Sequence, residues 1–232
     1  VLKIYVQDLI SKDKLEIYSN IVESLQAFGI PSLDLIRGIN NKFVQKVKNT
    51  NGRNVLATSS KYIVGNYLGE SDKVVDEKIV KSIASMLRRL HSALGKISTP
   101  SNVKEFNVLT NLNEFLSKKS VKLTVEFFET NNYSIEEIDS YLNFLQDNGE
   151  KLIKYFSHNQ GFESKHLIYV DFNLNNLLFN DNWEIIKMFD FDTMAVGPIN
   201  YDVGCSMLYL DLAQKSESTE RLIKLYTNTY FD

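Results

Sequence analysis

The sequence predicts an α+β protein in which a strand-rich first part is followed by a mostly helical second part. Short apolar runs bounded by turn signals fill the first 68 residues, and from Gly69 onward the apolar residues recur at helical spacing. The exception is His166–Asp192, where short apolar strands return around a polar loop. We therefore expect a β-rich part over residues 1–68 and a helical part over residues 69–232.

The first part contains four expected strands and one helix. The helix is predicted to begin near Asp13 and to end at Gly29 and Pro31. An Asn51-Gly52 pair between two apolar runs is a strong signal for a β-hairpin. The predicted strands are Val1–Val6, Lys42–Val47, Arg53–Thr58 and Lys61–Tyr67.

The second part is predicted to contain six helices. The clearest helix start is at Ser134, because Glu137 three residues later completes a capping box. Asn180 to Asn182 is predicted as a tight turn between the strands of the His166–Asp192 segment. The predicted helices are Val74–Ala93, Leu109–Leu116, Lys122–Glu129, Ile135–Phe156, Ile199–Leu212 and Thr219–Tyr230.

Composition excludes several classes of function. The 232 residues carry 26 basic and 29 acidic side chains, so a net charge of −3 offers no electrostatic case for binding nucleic acid or an anionic membrane. No apolar run approaches the roughly 20 residues that cross a bilayer, and the first residues do not resemble a signal peptide. A single cysteine, Cys205, cannot form a disulfide within the chain, and this favours a cytoplasmic protein. Cys205 is expected to be a small residue of the core.

Three oxygen-bearing side chains converge in the predicted loop region. Asp171 is followed five residues later by Asn176, and the next strand ends on Asp190. Carboxylate and amide oxygens are the ligands that Mg²⁺ prefers, and a carboxylate free of metal can accept a proton from a hydroxyl group. Phosphoryl transfer requires mainly such positioning and charge neutralisation. Asp192 is either a group near the metal or a salt-bridged aspartate.

The segments YVDFNLNN and MFDFDTMAVGPINYDVG resemble the catalytic and metal-binding segments of the aminoglycoside phosphotransferase and choline kinase superfamily. The likeness is greatest to its bacterial branch of homoserine-kinase-like and spore-coat-like members. The resemblance implies a bilobal protein-kinase-like fold with a small β-rich lobe and a larger helical lobe. It also implies that Asp171 is the catalytic carboxylate, that Asn176 and Asp190 bind Mg²⁺, and that Asp202 braces the catalytic loop.

The resemblance extends to the nucleotide-binding residues. VLKIY resembles the strand whose lysine holds the phosphates of ATP, which implies this role for Lys3. KYIVGNYLGE resembles the strand and hinge between the lobes, where backbone groups of Asn66, Tyr67 and Leu68 would meet the adenine. The expected cofactors are therefore ATP and Mg²⁺.

Three departures from the family pattern bear on catalysis. The usual His-Gly before the catalytic aspartate is Tyr169-Val170. The helix glutamate that pairs with the lysine would fall near Tyr18 or Ser19, so Glu16 or Glu23 is expected to replace it. The two strands and the glycine-rich loop that should precede the lysine are absent from this sequence, so the first lobe is expected to be incomplete at its start.

We expect an ATP-dependent kinase that phosphorylates a hydroxyl of a small molecule such as an aminoglycoside, choline or homoserine. The alternative is a catalytically weak or inactive, pseudokinase-like binding protein of the same fold, which the Tyr169-Val170 departure favours. The acceptor is expected to bind the helical region from about residue 100 to 160 and the last helices. Acidic residues at the Ser134 helix start either favour a cationic acceptor or only stabilise the helix. The acceptor's identity and the oligomeric state stay open.

Overall fold

The computed structural model describes residues 1–5, 10–68, 74–115, 117, 125–126, 130, 134–158, 166–213 and 219–232. Within the chain, two compact units can be distinguished. One unit comprises Val1–Lys104 together with Lys165–Asp232, and the other comprises Glu105–Ser164. The predicted boundary near residue 68 therefore falls inside the first unit, where it separates a mainly strand-containing part from a mainly helical part.

A four-stranded antiparallel sheet forms the beginning of the first unit. Its strands are β1 (Leu2–Tyr5), β2 (Leu35–Ile36), β3 (Gln45–Lys48) and β4 (Asn54–Ser60). β4 lies in the middle, because β1 pairs with one of its edges while β2 and β3 pair with the other. The register places Lys3 opposite Thr58. The sheet thus holds Lys3 on a strand that is braced by backbone hydrogen bonds.

The predicted hairpin forms between β3 and β4, with a longer turn than the Asn-Gly pair alone would make. Lys48 pairs with Asn54, so five residues connect the strands. Gly52 has a φ of 74°, a conformation that glycine adopts without steric cost. The Asn49 side chain accepts hydrogen bonds from the N–H groups of Asn51 and Arg53 and closes the loop.

Helix α1 (Lys12–Ala27) packs its apolar face into the core of the first unit. Its N-cap is Ser11, whose hydroxyl accepts a hydrogen bond from the Lys14 N–H, so the predicted start at Asp13 is two residues late. Asp13 lies instead in the first turn, where its charge favours the positive end of the helix dipole. Gly29 follows the helix with a φ of 73°, in agreement with the predicted end. The buried helix residues are Leu15, Tyr18, Ser19, Ile21, Val22 and Leu25.

The strand predicted at Lys61–Tyr67 does not form. The side chains of Tyr62 and Val64 are 76% and 78% exposed, and the segment pairs only through an isolated bridge between Asn66 and Phe179. β-favouring residues do not by themselves make a strand, because a strand also requires a partner that runs alongside it, and here the pairing is limited to that bridge.

Helix α2 (Glu77–Leu94) crosses the core and packs against the C-terminal helix α6 (Thr219–Phe231). The Asp76 carboxylate caps α2 by accepting a hydrogen bond from the Ile79 N–H. Nine buried side chains form the apolar face of α2, in agreement with the helical spacing of apolar residues in the sequence: Ile79, Val80, Ile83, Ala84, Met86, Leu87, Leu90, Ala93 and Leu94. Helix α5 (Ile199–Ala213) also contacts α2.

Two short two-stranded sheets position the polar loop. Strands β6 (Leu177–Phe179) and β7 (Ile185–Met188) form a hairpin, as predicted. The Asn180 side chain closes its turn by accepting hydrogen bonds from the N–H groups of Asn182 and Glu184. Strand β5 (His166–Ile168) pairs with β8 (Ala195–Gly197), a strand that the sequence analysis did not predict. The loop between β5 and β6 is therefore held at both ends.

The second unit contains the helices α3 (Val108–Phe115) and α4 (Ile135–His158), which contact each other. The predicted capping box forms, because Ser134 Oγ accepts from the Glu137 N–H and the Glu137 carboxylate accepts from the Ser134 N–H. The helix predicted over Lys122–Glu129 lies almost wholly outside the described residues. In the described parts of the chain, we find no helix long and apolar enough to cross a membrane.

Candidate active site

The ammonium group of Lys3 reaches two carboxylates that follow strand β7. It donates hydrogen bonds to Asp190 Oδ1 and to Asp192 Oδ2, the second at 2.8 Å. Burial disfavours a charged lysine, but these hydrogen bonds outweigh burial and raise the pKa of Lys3 above its ordinary value. A charged lysine on β1 is therefore joined to residues almost 190 positions later in the chain.

Asp190 adopts a left-handed backbone conformation, with a φ of 60° and a ψ of 50°. Aspartate tolerates this conformation better than most residues. The preceding residue, Phe189, donates its N–H to the backbone oxygen of Asn176 at 2.9 Å. This bond joins the segment that carries Asp190 to the polar loop and keeps the two predicted metal ligands in neighbouring stretches of backbone.

Asp192 forms a charged cluster with Lys3 and Asp190, and its side chain is less exposed than that of Asp190. The side chains of Asp192 and Asp190 are 19% and 39% exposed, respectively. Burial raises the pKa of Asp192, and the charge of Asp190 adds to this effect, while Lys3 opposes it. Asp192 therefore forms the salt bridge that was one of its two readings, and it also lies beside the predicted metal ligand Asp190.

Two asparagines orient the Asp171 carboxylate. Asn173 Nδ2 donates to Asp171 Oδ1 at 2.7 Å, and Asn176 Nδ2 donates to Asp171 Oδ2 at 3.0 Å. Asn176 Nδ2 also donates to the Asp171 backbone oxygen at 2.9 Å. Asp171 and Asn176 were predicted from the sequence, whereas Asn173 was not. Its position two residues after an aspartate, within a polar loop, is the local signal that could have identified it.

The donor atoms of Asn176 and Asp190 suit Mg²⁺. The amide nitrogen of Asn176 is engaged by Asp171, and within the described part of the chain its Oδ1 carries no hydrogen bond. Asp190 contributes an accessible carboxylate. No group of three or more His, Cys, Asp or Glu side chains suitable for a metal occurs in the residues described. A small protein donor set of this kind is typical of Mg²⁺ sites that also use water and phosphate oxygens.

The two residues that depart from the family motif hold the loop by unusual means. The Tyr169 ring is fully buried against Phe172 and Phe191, and its hydroxyl donates to the backbone oxygen of Phe189. Burial, together with the nearby carboxylates, raises the pKa of Tyr169 well above its ordinary value, which keeps it a neutral donor. Tyr169 thus connects the loop to the segment before Asp190.

Val170 adopts a left-handed backbone conformation with a φ of 74°. This conformation is unfavourable for a β-branched residue, and it explains why a glycine suits this position. The buried carboxylate of Asp202 accepts the N–H groups of both Tyr169 and Val170 at 2.8 Å. Asp202 is therefore the group that holds the backbone immediately before Asp171.

The expectation that Glu16 or Glu23 pairs with Lys3 is wrong. The Glu16 carboxylate accepts hydrogen bonds from the backbone N–H groups of Phe43 and Val44, and Glu23 forms an ion pair with Arg37 at 2.6 Å. Both glutamates lie on faces of α1 that point to the loop before β3 rather than to β1. Sequence spacing could not distinguish these faces.

Tyr18 occupies the side of α1 that faces the charged cluster. Its hydroxyl donates to the Met194 backbone oxygen at 2.8 Å. Burial raises the pKa of Tyr18 to about 12, with a further contribution from the charge of Asp192. Tyr18, Lys3 and Asp190 line a small cavity of about 50 Å³, which is too small for a nucleotide. Tyr18 therefore connects α1 to the segment after Asp190. In the family pattern, a glutamate on the helix falls near this position.

The predicted adenine-binding segment lies beside strand β6. The Asn66 N–H donates to the Phe179 oxygen at 2.7 Å, and the Phe179 N–H donates to the Asn66 oxygen at 2.9 Å. Both backbone groups of Asn66 are thus used within the protein. Gly65 explains the close approach, because an added Cβ would lie 2.7 Å from the Phe179 oxygen. Tyr67 packs its ring near Phe189, at a centroid separation of 6.2 Å.

Two further sequence candidates have structural explanations. The acidic Glu137 is engaged in its capping box, and the hydrogen bond from the Ser134 N–H lowers its pKa. Burial raises the pKa of the Cys205 thiol, but Cys205 is only partly buried and is not the fully buried core residue that was expected. Phe127, Phe128 and Tyr133, aromatic residues in the region where the acceptor is expected to bind, lie outside the described residues.

Comparison with known structures shows the same fold. An amicoumacin kinase in complex with AMP-PNP and Ca²⁺ matches with a TM-score of 0.72 and 14% identity, covering 99% of this chain and 65% of that one. A microcompartment-associated aminopropanol kinase matches with a TM-score of 0.69 and 15% identity, over 99% and 67% of the two chains. A spectinomycin phosphotransferase in complex with ADP and spectinomycin matches with a TM-score of 0.64 and 17% identity, over 100% and 67%.

The chain thus spans about two thirds of the length of these structures, and just under that for the amicoumacin kinase. At such low identity the similarity establishes the fold alone, and it confirms the predicted α+β, kinase-like class. No curated protein sequence matches the chain significantly. The sequence model of the phosphotransferase enzyme family matches residues 61–231, which include the whole polar loop and the segment after β7. The chain therefore belongs to the phosphotransferase enzyme family.

Proposed function

We propose that this protein, with ATP and Mg²⁺, transfers the terminal phosphoryl group of ATP to a hydroxyl group of a small molecule. The observation that carries the proposal is the ion pair between Lys3 and Asp190 next to the oriented carboxylate of Asp171. A cation for phosphate, oxygen ligands for a metal and a carboxylate for a hydroxyl are the groups that phosphoryl transfer uses. Family membership supports the reaction type.

Lys3 would hold the phosphates of ATP in this proposal. Its ammonium group is already fixed by Asp190 and Asp192, so little side-chain entropy would be lost on binding. The adenine would meet the backbone of the Asn66–Leu68 segment. Since the Asn66 backbone is paired with Phe179, we assign the adenine contacts to Tyr67 and Leu68 and a positioning role to Asn66.

Asn176 and Asp190 would hold Mg²⁺, which neutralises phosphate charge when it is bound. The hydrogen bond from Phe189 N–H to Asn176 O fixes the spacing of the two backbone segments. Asp190 would then exchange part of its interaction with Lys3 for the metal, and Asp192 would retain the lysine contact. A lysine that keeps one carboxylate partner remains in position beside the phosphates.

Asp171 would orient the acceptor hydroxyl and accept its proton. Each of its carboxylate oxygens receives a hydrogen bond from a neutral amide, which directs the group without neutralising its charge. Hydroxyl oxygen is a poor nucleophile while it is protonated, so a carboxylate within hydrogen-bond reach assists its attack on phosphorus. We further propose that residues 1–68 form the nucleotide-binding lobe and residues 69–232 the helical lobe.

The proposal can be tested with two variants and two assays. Asp171→Asn is isosteric and should reduce phosphoryl transfer at least about 1000-fold while nucleotide still raises the thermal midpoint of unfolding. Asp190→Ala should abolish the additional shift that Mg²⁺ gives with nucleotide. Transfer is measured by a screen of small alcohols, amino alcohols, sugars and aminoglycosides with ATP. Normal turnover in Asp171→Asn would refute the assignment of the catalytic carboxylate.

A second function is favoured by one observation. Val170 holds a left-handed conformation, where the family pattern has glycine, immediately before the catalytic aspartate. A protein that binds nucleotide or acceptor without turnover tolerates such a change more readily than an enzyme does. Thermal stabilisation by ATP and Mg²⁺ with no transfer to any acceptor would favour this binding protein. The absence of any thermal shift would oppose nucleotide binding in both functions.

A further inference from the structure

His91 links the C-terminal helix to the buried carboxylate behind the polar loop. It lies near the end of α2, and its side chain is only 6% exposed. Its Nε2 atom is 2.9 Å from Asp202 Oδ2, and its Nδ1 atom is 2.6 Å from the hydroxyl oxygen of Tyr230 on α6. The two rings also meet edge to face, with centroids 5.8 Å apart.

The chemistry of these partners gives one direction. A carboxylate accepts, so Nε2–H of His91 donates to Asp202, and Nδ1 of His91 shares the second hydrogen bond with the Tyr230 hydroxyl. The result is an unbroken chain of hydrogen bonds from Tyr230 through His91 to Asp202. Each member thereby determines the orientation of the next.

Asp202 transmits this chain to the loop. Its carboxylate is fully buried and accepts three hydrogen bonds, one from His91 and one each from the backbone N–H groups of Tyr169 and Val170. A buried carboxylate is costly unless its oxygens are satisfied and its orientation is fixed. The Val170 conformation is itself unfavourable, so it depends on these bonds to persist.

We propose that Tyr230 and His91 are positioning residues for the loop that carries Asp171. They act through Asp202 by fixing the carboxylate that holds the backbone of Tyr169 and Val170. The expected effect on catalysis rests on the proposed phosphoryl transfer. The expected effect on the order of the loop rests on the hydrogen-bond chain alone. Helix α6, at the far end of the sequence, thus contributes to the geometry of the site.

The same helix offers a matched control. Tyr226 lies one turn before Tyr230 and is also buried, but the neighbour of its hydroxyl is Ser206 rather than His91. Tyr226→Phe and Tyr230→Phe each remove one oxygen atom from the same face of α6. Only Tyr230→Phe removes a hydrogen-bond partner of His91. A difference between the two variants therefore reports the hydrogen bond rather than the packing of the helix.

Amide exchange tests the chain without any need for catalysis. We expect Tyr230→Phe to accelerate exchange of the Tyr169 and Val170 N–H groups about three- to tenfold relative to Tyr226→Phe, as measured by NMR, because one hydrogen bond supports this bracing. His91→Leu should accelerate it further, and His91→Gln, which retains a donor and an acceptor, should restore part of the protection. Equal exchange rates in the two tyrosine variants would overturn the proposal.

Turnover supplies the second measurement, with an acceptor found in the screen. A misplaced Asp171 affects the chemical step, so kcat should fall about three- to tenfold in Tyr230→Phe while KM for ATP is unchanged, and Tyr226→Phe should match the wild type. An equal fall in both variants would contradict the positioning role. A wild-type protein that phosphorylates no acceptor would refute the proposed function, and the exchange comparison would still decide whether the chain orders the loop.

Discussion

The left-handed conformation of Val170 can be tested by comparing alanine with glycine at this position. Its φ of 74° brings Cβ close to the following carbonyl oxygen, which costs about 1–2 kcal/mol for an L-residue. Glycine has no Cβ, but it loses about 0.5–1 kcal/mol more in backbone entropy on folding. We therefore expect Val170→Gly to be more stable than Val170→Ala by about 0.5–1 kcal/mol. Both variants lose the valine methyl groups, so the cost of losing them cancels when the two variants are compared.

Val64 provides the control for this comparison. It also lies in a loop, its side chain is 78% exposed, and it is not among the non-glycine residues with positive φ. Only the entropic cost of glycine applies there, so Val64→Gly should be less stable than Val64→Ala by about 0.5–1 kcal/mol.

Urea denaturation at neutral pH gives the four free energies of unfolding. The reversal of sign between the two sites is the expected result. In thermal unfolding, about 1 kcal/mol corresponds to a shift of about 2–4 °C for a protein of this size. A preference for alanine at both positions would refute the claim that Val170 is held in an unfavourable conformation.

Three further outcomes follow from the packing of buried groups. Burial raises the pKa of Tyr18 and of Tyr230 to about 12, so between about pH 10 and 12 the folded state retains protons that the unfolded state has lost. Stability measured by urea should therefore fall as the pH rises above about 10, and a flat profile would contradict this. Gly65→Ala should lower the free energy of unfolding by about 1–3 kcal/mol, because Cβ would lie 2.7 Å from the Phe179 oxygen. Burial also raises the pKa of Cys205, so at pH 8 its thiol should react with a disulfide reagent more slowly than free cysteine does, in proportion to its thiolate fraction.

Local structure was predicted well where a few neighbouring residues determine it. The capping box at Ser134 forms as expected, because its hydrogen bonds join residues only three apart. The long apolar stripe of α2 likewise predicts its buried face. The strand expected at Lys61–Tyr67 was wrong, because β propensity is a local signal whereas pairing is not, and the segment pairs only at one isolated bridge. Strand β8, only three residues long, was missed for the converse reason, because its partner β5 determines it.

The sequence by itself determined the family and the candidate residues, because Asp171, Asn176 and Asp190 lie in a short motif with fixed spacing. Only the tertiary structure decided which distant groups meet them. Lys3 reaches Asp190 across 187 positions, whereas the glutamates expected beside it face another way. Such contacts depend on the register of β1 on β4 and on the rotation of α1 about its axis. The spacing of residues along the chain does not specify this register or this rotation. Both result from the packing of apolar faces, and many different apolar side chains can fill the same space.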